Sequence, residues 1–292
     1  MKVGLLGQKQ RAAAWEKHLR LLAAVSEVVI TSKISDLESV DACIILDDTP
    51  QNLNKLEETV RLKLHTFLVA QLPTELSRLK KVYALVQESE VQVQFSHWPT
   101  ISPSSQWMKQ QLPRPESIQI YKELSHLSFS ENKVRFTHLW RDEVAWVVKW
   151  MDMGIHKIEA NRTPSGSDRT AIQIYIKFEN GSSASIYCLS AGSEELHKRV
   201  AAGGDILLNC DVLQQSVFKA YTGRPGELMS EIQKFDATKA AELSAALFIK
   251  AIKLNKESAF TSYDALQAAM AIDKIEKMIQ NPSISSSSSA SS

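Results

Sequence analysis

Cysteine is scarce in this sequence, and its spacing suggests neither a disulfide framework nor a metal site. The 292 residues include three cysteines, Cys43, Cys188 and Cys210, which lie far apart in apolar, strand-like stretches. An odd number of dispersed cysteines in such surroundings predicts reduced, buried thiols, as in a cytoplasmic protein. No CxxC pair occurs, and the seven histidines show no metal-ligand spacing. We therefore expect no metal.

An excess of charge of either sign is also missing, as are long hydrophobic runs. Lysine and arginine number 34 against 33 aspartates and glutamates, so no strong field recruits nucleic acid or an anionic membrane. No stretch approaches the ~18 apolar residues of a membrane span, and the apolar run at the N-terminus is too short for a signal peptide. A small-molecule ligand is the expected partner, with no nucleic acid and no membrane.

The first part of the chain alternates short apolar runs with helical patterns, which predicts a Rossmann-type, doubly wound parallel sheet of the α/β class. We place this domain at 1–113. Its predicted strands are Lys2–Leu6, Glu27–Ile30, Ala42–Leu46, Phe67–Val69 and Val91–Phe95, and its predicted helices are Lys9–Val25, Gln51–Leu64 and Thr74–Glu88.

The second part, 114–281, has a different pattern of apolar and polar residues. This pattern predicts an α+β domain with an open mixed or antiparallel sheet and flanking helices. Ala171–Phe178 alternates apolar and polar residues, Asn180-Gly181 makes a turn, and Ser183–Leu189 returns, which indicates a hairpin with one wetter face. Further strands are predicted at Ser117–Tyr121, Lys133–Thr137, Lys157–Asn161, Leu196–Ala201 and Asp205–Cys210, and helices at Leu139–Met153, Thr238–Leu254 and Ser262–Gln280. The serine-rich residues 282–292 predict a disordered tail.

The turn after the first strand departs from the phosphate-binding pattern GxGxxG. In that pattern the first glycine makes the bend, the second lets the backbone approach a pyrophosphate, and the third lets the helix pack on the strand. Only Gly7 is in place, because Lys9 occupies the second position and Ala12 the third. A long cationic side chain therefore stands where a phosphate would lie.

Three strings in this order resemble the Gfo/Idh/MocA oxidoreductases, the glucose-fructose oxidoreductase and inositol dehydrogenase group. They are VDACIILDDTP at Val40–Pro50, TAIQIYIKFENG with the strand that follows it at Thr170–Leu189, and the closing pattern at Phe248–Ile275. The resemblance covers nearly the whole chain. It implies NADP or NAD as cofactor and a sugar-like or polyol substrate, and it implies that the open sheet packs face to face in a homodimer or homotetramer.

By this resemblance the cofactor-binding candidates are Gly7, Lys9, Lys33, Thr49, Pro50 and His97. The family has an acidic or basic residue after its second strand, and here Thr31, Ser32 and Lys33 hold that place without a carboxylate. Lys33 could pair with the 2'-phosphate of NADP, or it could be an ordinary surface lysine. His97 follows the fifth strand, at the edge where doubly wound sheets bind ligands.

This sequence also lacks the residues that the family has at its catalytic positions. Its Glu-Lys-Pro lysine corresponds to Leu72, which can neither donate a proton nor stabilise an alkoxide. Its His-x-x-Asp pair falls in the helix from Leu139, where two registers remain open. One register retains Asp142 with Leu139 in place of the histidine, and the other puts Glu143 and Trp146 at the two positions.

Asp142, Arg141 and His138 are the remaining catalytic candidates, each with a plainer alternative. An apolar stripe on the helix predicts core packing, and the charged residues, Glu143 among them, fall largely off it. These charges could line a substrate cleft or form a solvated face. His138 could act as acid or base, or be a hydrogen-bonded structural histidine.

The sequence therefore predicts an NAD(P)-dependent oxidoreductase with altered or lost activity. The alternative is a non-catalytic relative, a pseudoenzyme that binds no dinucleotide and serves as a small-molecule-binding or scaffold subunit.

Overall fold

The computed structural model describes residues 1–49, 51–125, 133–164, 170–192, 194–224, 227–236 and 239–280. Pro50 and the serine-rich tail predicted at 282–292 lie outside the described residues. The chain forms two compact units. The first unit comprises Met1–Ile101 and Thr238–Ala269, and the second comprises Ser102–Ala237 and Met270–Ser292. The domain bounds 1–113 and 114–281 stay a prediction.

The first unit contains a five-stranded sheet in the order β2-β1-β3-β4-β5, in which every neighbouring pair is parallel. Its strands are β1 Lys2–Leu6, β2 Glu27–Thr31, β3 Ala42–Ile45, β4 His65–Leu68 and β5 Val93–Phe95. Its helices are α1 Lys9–Arg20, a 3-10 turn at Ile34–Leu37, α2 Asn52–Arg61, α3 Leu76–Ser89, α4 Trp98–Ile101 and α7 Ala240–Lys253.

The central strands of this sheet are buried apart from the first residues of β1 and β4, because helices cover both faces. Leu5 and Ile44 have no exposed surface. Phe67 on β4 joins the helices of one face, since its ring lies 5.8 Å from that of Trp15 on α1 and 5.6 Å from that of Phe248 on α7. The C-terminal segment thus completes this core, and the predicted doubly wound sheet is confirmed.

The second unit contains an eight-stranded sheet in the order β13-β12-β11-β10-β6-β9-β8-β7. Among the described strands, only β6 and β9 pair in parallel, so the sheet is mixed, as predicted. Its strands are β6 Ser117–Ser125, β7 Ile155–Pro164, β8 Thr170–Phe178, β9 Ser183–Gly192, β10 Leu196–Gly203, β11 Ile206–Asp211, β12 Ser216–Thr222 and β13 Leu228–Lys234. Its helices are α5 Pro103–Gln111 and α6 Lys133–Met151, and α8 Ser262–Gln280 ends in it.

The alternation predicted along β8 is confirmed. Ile172, Ile174, Ile176 and Phe178 are buried in a core shared with α6, while Gln173, Tyr175 and Lys177 are exposed on the other side. We call these sides the inner face and the outer face of the sheet. The three cysteines are free and buried, and burial raises the pKa of Cys43 to about 12.

One prediction about this unit is wrong. The residues Lys133–Thr137, predicted as a strand, form the start of α6, because five alternating residues also fit the beginning of the helical pattern that continues to Met151. β12 and β13 were not predicted from the sequence. Every residue of β13 is exposed, so its sequence carries no hydrophobic alternation imposed by a core.

Candidate functional site

The carboxyl edge of the first sheet is the first candidate site, and Gly7 lies at its centre. A doubly wound sheet binds ligands where the strand order reverses, which here is at β1, with β2 on one side and β3 on the other. The Gly7 amide donates to the Thr31 carbonyl at 3.1 Å. A Cβ at Gly7 would lie 3.0 Å from the Cβ of Leu46, a tight contact, so glycine favours the close approach of this turn to the end of β3.

The N-terminus of α1 faces this edge without a cap. Gln8 makes no side-chain capping hydrogen bond, and the first turn contains no acidic residue. The free amides of a first turn carry partial positive charge and bind anions. Lys9, the first residue of α1, has an exposed side chain rather than one packed against the turn.

The carboxylate of Asp36, which was not predicted from the sequence, lies beside the end of β2. Asp36, five residues after Thr31, accepts a hydrogen bond from the Thr31 hydroxyl at 2.6 Å, and that hydroxyl accepts one from the Lys33 amide at 3.0 Å. The hydrogen bond from Thr31 lowers the pKa of Asp36. The 3-10 turn brings Asp36 back to the strand end, and Lys33 lies beside it with an exposed side chain.

The ends of β3 and β4 carry two aspartates and an unused hydroxyl. Asp47 is paired with Lys55, and Asp48 accepts a hydrogen bond from the Gln71 amide at 3.4 Å. The buried Oγ1 of Thr49 has no hydrogen-bond partner among the described residues. Leu72 follows Gln71 and is half-buried, so the position of the family's lysine carries no proton donor.

His97 is enclosed within the first unit. Its Nδ1 lies 2.7 Å from the Thr100 hydroxyl, its ring lies 4.5 Å from that of Phe260, and its exposed fraction is 2%. These contacts are those of a histidine held by packing, and a role in a cofactor pocket stays a prediction.

The charged residues of α6 in the second unit have separate surroundings. Arg141 binds Glu276 on α8 through its Nε and Nη2, with Nε at 2.8 Å from Oε1, which ties the two helices together. His138 is partly buried and engaged in an interaction. Asp142 is partly buried as well, next to the cluster described below.

Glu143 is the centre of a buried charge cluster that the sequence analysis missed. Expected off the apolar stripe, it instead points into the core with no exposed surface. Arg199 on β10 donates to it from Nε at 2.8 Å and from Nη2 at 2.9 Å. The Nζ of Lys122 on β6 lies 3.4 Å from the Glu143 Oε1. His197 Nε2 lies 3.0 Å from the same oxygen, without the alignment of a hydrogen bond.

Arg199 is itself fully engaged. Its Nη1 donates to the Ser105 hydroxyl at 3.0 Å, and its guanidinium lies 4.3 Å from the centre of the Trp146 ring. A buried charge is costly unless it is paired and hydrogen-bonded. The guanidinium therefore fixes the Glu143 carboxylate in one position on α6.

Asp142 and Glu143 are adjacent in the chain, but their surroundings shift their pKa values in opposite directions. Burial alone would raise the pKa of Glu143, but Arg199, His197 and Lys122 bring it well below its ordinary value. Burial raises the pKa of Asp142 to about 6, with the Glu143 charge adding to the rise. Burial also lowers the pKa of His197 to about 4, so this ring is neutral at neutral pH. Glu143 is a fixed anion, whereas Asp142 can exchange a proton near neutrality.

The outer face of the second sheet is a second feature of this unit. It forms an open concavity of about 1040 Å³. Its lining combines the stacked rings of Tyr121 and Tyr187, 5.2 Å apart, with Tyr175, amide side chains and lysines. Within the described ranges, no group of three metal-ligating side chains occurs, and no helix is long and apolar enough to cross a membrane.

Comparison with solved structures decides the fold. The UDP-N-acetylglucosamine 3-dehydrogenase GnnA of Acidithiobacillus ferrooxidans matches with a TM-score of 0.78 at 13% identity, over 96% of this chain and 97% of that one. The fold is that of the Gfo/Idh/MocA dehydrogenases. The apo scyllo-inositol dehydrogenase of Lactobacillus casei matches at 0.69 and 14% identity, over 97% and 96% of the two chains.

A third match extends the range of substrates on this fold. The biliverdin reductase of Synechocystis sp. PCC 6803, solved with biliverdin and NADP+, matches at 0.68 and 11% identity over 96% of this chain and 99% of that one. The sequence itself matches no family model and no curated protein. Since these three structures act on a nucleotide sugar, a polyol and a linear tetrapyrrole, the shared fold alone does not name a substrate.

Proposed function

We propose that this protein is an NAD(P)-dependent oxidoreductase with an altered catalytic site, acting on a small sugar-like or polyol substrate. One observation carries the proposal. The turn at Gly7 and the uncapped N-terminus of α1 lie at the switch point of a doubly wound sheet, where this fold class holds a dinucleotide.

The residues at this edge suit the cofactor, although they are not those of the standard pattern. The exposed Lys9 can pair with the pyrophosphate from the side instead of letting the backbone approach it. The unpartnered Thr49 hydroxyl offers a hydrogen bond. Asp36 suits the ribose hydroxyls of NAD, and Lys33 suits the 2'-phosphate of NADP. When bound, the nicotinamide would accept or give a hydride.

Nucleotide titration tests this proposal. NAD+, NADH, NADP+ and NADPH are each titrated while tryptophan fluorescence and melting temperature are followed. Saturable binding should stabilise the fold by about 2.7 kcal/mol when the ligand is present at about 100 times its dissociation constant. Lys9→Glu should weaken binding at least about tenfold, because it places an anion beside the phosphates. Lys17→Glu, the same charge change at the exposed far end of α1, is the matched control.

The preference between the two cofactors follows from the same titration. Lys33→Glu should selectively weaken NADP+, and Asp36→Asn should selectively weaken NAD+, because each change removes the group suited to one ribose. No response to any of the four nucleotides at millimolar concentration would reject the oxidoreductase proposal.

The second candidate is a non-catalytic relative, and Leu72 and Lys9 favour it. A leucine cannot replace an ammonium at the reacting carbon, and a lysine cannot replace the hydrogen atom of a glycine beside a diphosphate. Under this reading the protein binds a small molecule or a protein and binds no dinucleotide, so the titration separates the two candidates.

We also propose that two copies associate through the outer face of the second sheet. Tyr121, Tyr175, Leu207 and Phe218 on this face are each more than a third exposed, and large exposed apolar patches mark association sites. Light scattering should give a dimer or tetramer mass, and Tyr175→Glu should yield monomers. Tyr263→Glu, at an exposed tyrosine of α8 in the first unit, should leave the mass unchanged.

A further inference from the structure

Strand β13 forms one end of the second sheet, and its outer edge is unpaired among the described residues. It pairs with β12 on one side and comes last in the strand order. All seven of its residues are exposed, Leu228 to 79% and Ile232 to 66%. An exposed edge strand with apolar side chains is a template on which another strand can pair.

The features that block pairing at a free edge are scarce on β13. Proline, bulges and charged side chains are the usual ones. The sequence of the strand, LMSEIQK, contains no proline, and its register with β12 is continuous. Of its two charged residues, Glu231 is paired with Lys219 on β12 at 3.1 Å. The strand is therefore open to a further strand.

The free hydrogen-bonding groups of β13 belong to alternate residues. In an antiparallel pair, residues that exchange backbone hydrogen bonds alternate with residues whose groups point away from the partner strand. The Phe235 amide donates to the Gln215 carbonyl at 2.9 Å, and the Gly223 amide donates to the Glu227 carbonyl at 2.9 Å. The odd-numbered residues therefore face β12. The amides that point toward the free edge are those of Leu228, Ser230, Ile232 and Lys234.

This edge is complementary to a second copy of itself. Two antiparallel copies related by a two-fold axis perpendicular to the sheet place even-numbered residues opposite even-numbered ones and keep the outer faces on the same side. With the axis at Ile232, this residue is opposite its own copy. The other pairs are Ser230 with Lys234, Glu231 with Gln233, and Met229 with Phe235.

Neighbouring registers fit less well. An axis at Glu231 would place two carboxylates directly opposite each other, and like charges in that position are destabilising. An axis at Ser230 would place Met229 opposite the Glu231 carboxylate. In the register about Ile232, no like charges are opposite each other.

The same register joins two apolar rows on the outer face. Phe218 on β12 is directly opposite Ile232 and is 38% exposed. Pairing of two copies would align Phe218 and Ile232 of one copy with Ile232 and Phe218 of the other. Apolar side chains on adjacent strands stabilise a sheet when they are directly opposite each other.

We propose that β13 pairs edge to edge with β13 of a second copy of this chain, antiparallel about an axis at Ile232, and that this contact joins two outer-face dimers into a closed tetramer. The inference rests on the proposed association through the outer face. A single pair of seven-residue strands is small beside the about 1,200 Å² of a stable interface. Two such edges act together once the outer faces are joined.

Light scattering on the full chain tests the edge contact. The unchanged protein should have four times the 32.6 kDa of one chain. Ser230→Pro removes an amide that faces the free edge and leaves the bonds to β12 in place, since an edge strand accepts proline where its N–H points outward. This variant should be a dimer. Ser230→Ala retains the amide, and this control should remain a tetramer.

Two further variants test the register. Ile232→Lys places two ammonium groups opposite each other at the axis, so it should yield dimers. Gln233→Lys adds the same charge one residue along the strand, opposite Glu231 of the second copy, and should remain a tetramer. If the unchanged protein is a dimer, or if the variants and their controls have the same mass, the edge contact is overturned. A dimer that Tyr175→Glu splits leaves the outer-face association standing, whereas a monomer rejects both.

Hydrogen exchange at single-residue resolution tests the contact without a change in β13. In a single copy the Ile232 amide faces water, whereas the Glu231 and Gln233 amides face β12. Exchange at Ile232 should be at least about tenfold slower in the unchanged protein than in Tyr175→Glu, the proposed monomer. Equal exchange rates at Ile232 in the two proteins would overturn the edge contact, even if the unchanged protein is a tetramer.

Discussion

The two units treat their polar groups in opposite ways. At the carboxyl edge of the first sheet, Lys9, Lys33 and Asp36 are exposed and separately held, and the backbone turn at Gly7 is the best-defined feature. In the second unit, Glu143 and Arg199 are paired with almost no exposure to water. Exposed charges cost little free energy, because water solvates them. Buried charges lose their hydration, and the fold tolerates them only when each is paired with an opposite charge.

This contrast shows where substitution is tolerated. An exposed edge can exchange a glycine for a lysine, or a lysine for a leucine, with small effects on stability. A buried cluster fails when one member is removed, because the partner left behind is an unpaired charge. The residues of the second unit should therefore respond to mutation much more strongly than those of the first.

The largest effect is expected for Glu143→Ala. Removing this carboxylate leaves the Arg199 guanidinium buried without a counter-charge, and we expect a loss of about 3–5 kcal/mol in the free energy of unfolding. Urea unfolding followed by circular dichroism measures it. Glu159→Ala is the control, because Glu159 pairs with Lys157 on the surface and should contribute less than about 1 kcal/mol. If Glu143→Ala and Glu159→Ala lost equal free energy of unfolding, buried and exposed charges would contribute alike, contrary to this prediction.

The next effect is a pH-dependent gain for Asp142→Asn. The pKa of Asp142 in the folded protein, about 6, is above its ordinary value of 3.8. Its contribution to stability is therefore full below pH 3.8 and is lost as the pH rises through about 6. Asparagine resembles the protonated acid, so the variant should be more stable than the unchanged protein by about 2 kcal/mol at about pH 8 and equal to it at about pH 3.

Urea unfolding at the two pH values measures this difference. The depressed pKa of His197 acts with the opposite sign, since the stability it contributes above pH 6.5 is lost as the pH falls toward about 4. Both proteins carry His197, so its effect largely cancels in the comparison. A variant whose stability relative to the unchanged protein does not change with pH would show that Asp142 ionises freely.

The smallest effects compare two hydroxyls within the first unit. Thr100→Val removes one hydrogen-bond partner of His97 and should cost about 1 kcal/mol without changing nucleotide affinity. Thr49→Val removes a hydroxyl that has no partner among the described residues, so it should leave stability within about 0.5 kcal/mol while weakening nucleotide binding. Thermal unfolding and the fluorescence titration measure the two quantities. A nucleotide effect for Thr100→Val instead would place His97 in the cofactor site.

Much of the fold could be predicted from the sequence because periodicity is a local property. The apolar runs of β1 and β3 and the alternation of β8 follow directly from burial on two faces or on one. The strand at Lys133–Thr137 was wrong because its alternation was too short to separate it from a helix. β13 was missed because it packs on neither face.

The candidate site was less predictable because it depends on contacts between distant residues. Glu143 and Arg199 lie 56 positions apart and come together only when α6 packs on the second sheet. Charged residues at alternating positions of a strand, such as His197 and Arg199 on the otherwise apolar face of β10, were the one local signal of the cluster. Asp36 escaped notice because the 3-10 turn, and not the strand, brings it to Thr31.

The chain passes from the first unit to the second, returns to the first, and ends in the second. Residues Thr238–Ala269 return to the first unit, and α8 starts there at Ser262 and ends in the second unit at Gln280. No single cut in the gene releases an intact copy of either unit. Recombination therefore cannot exchange either unit as a single continuous segment, and the carboxyl edge of the first sheet and the charge cluster of the second unit are inherited together.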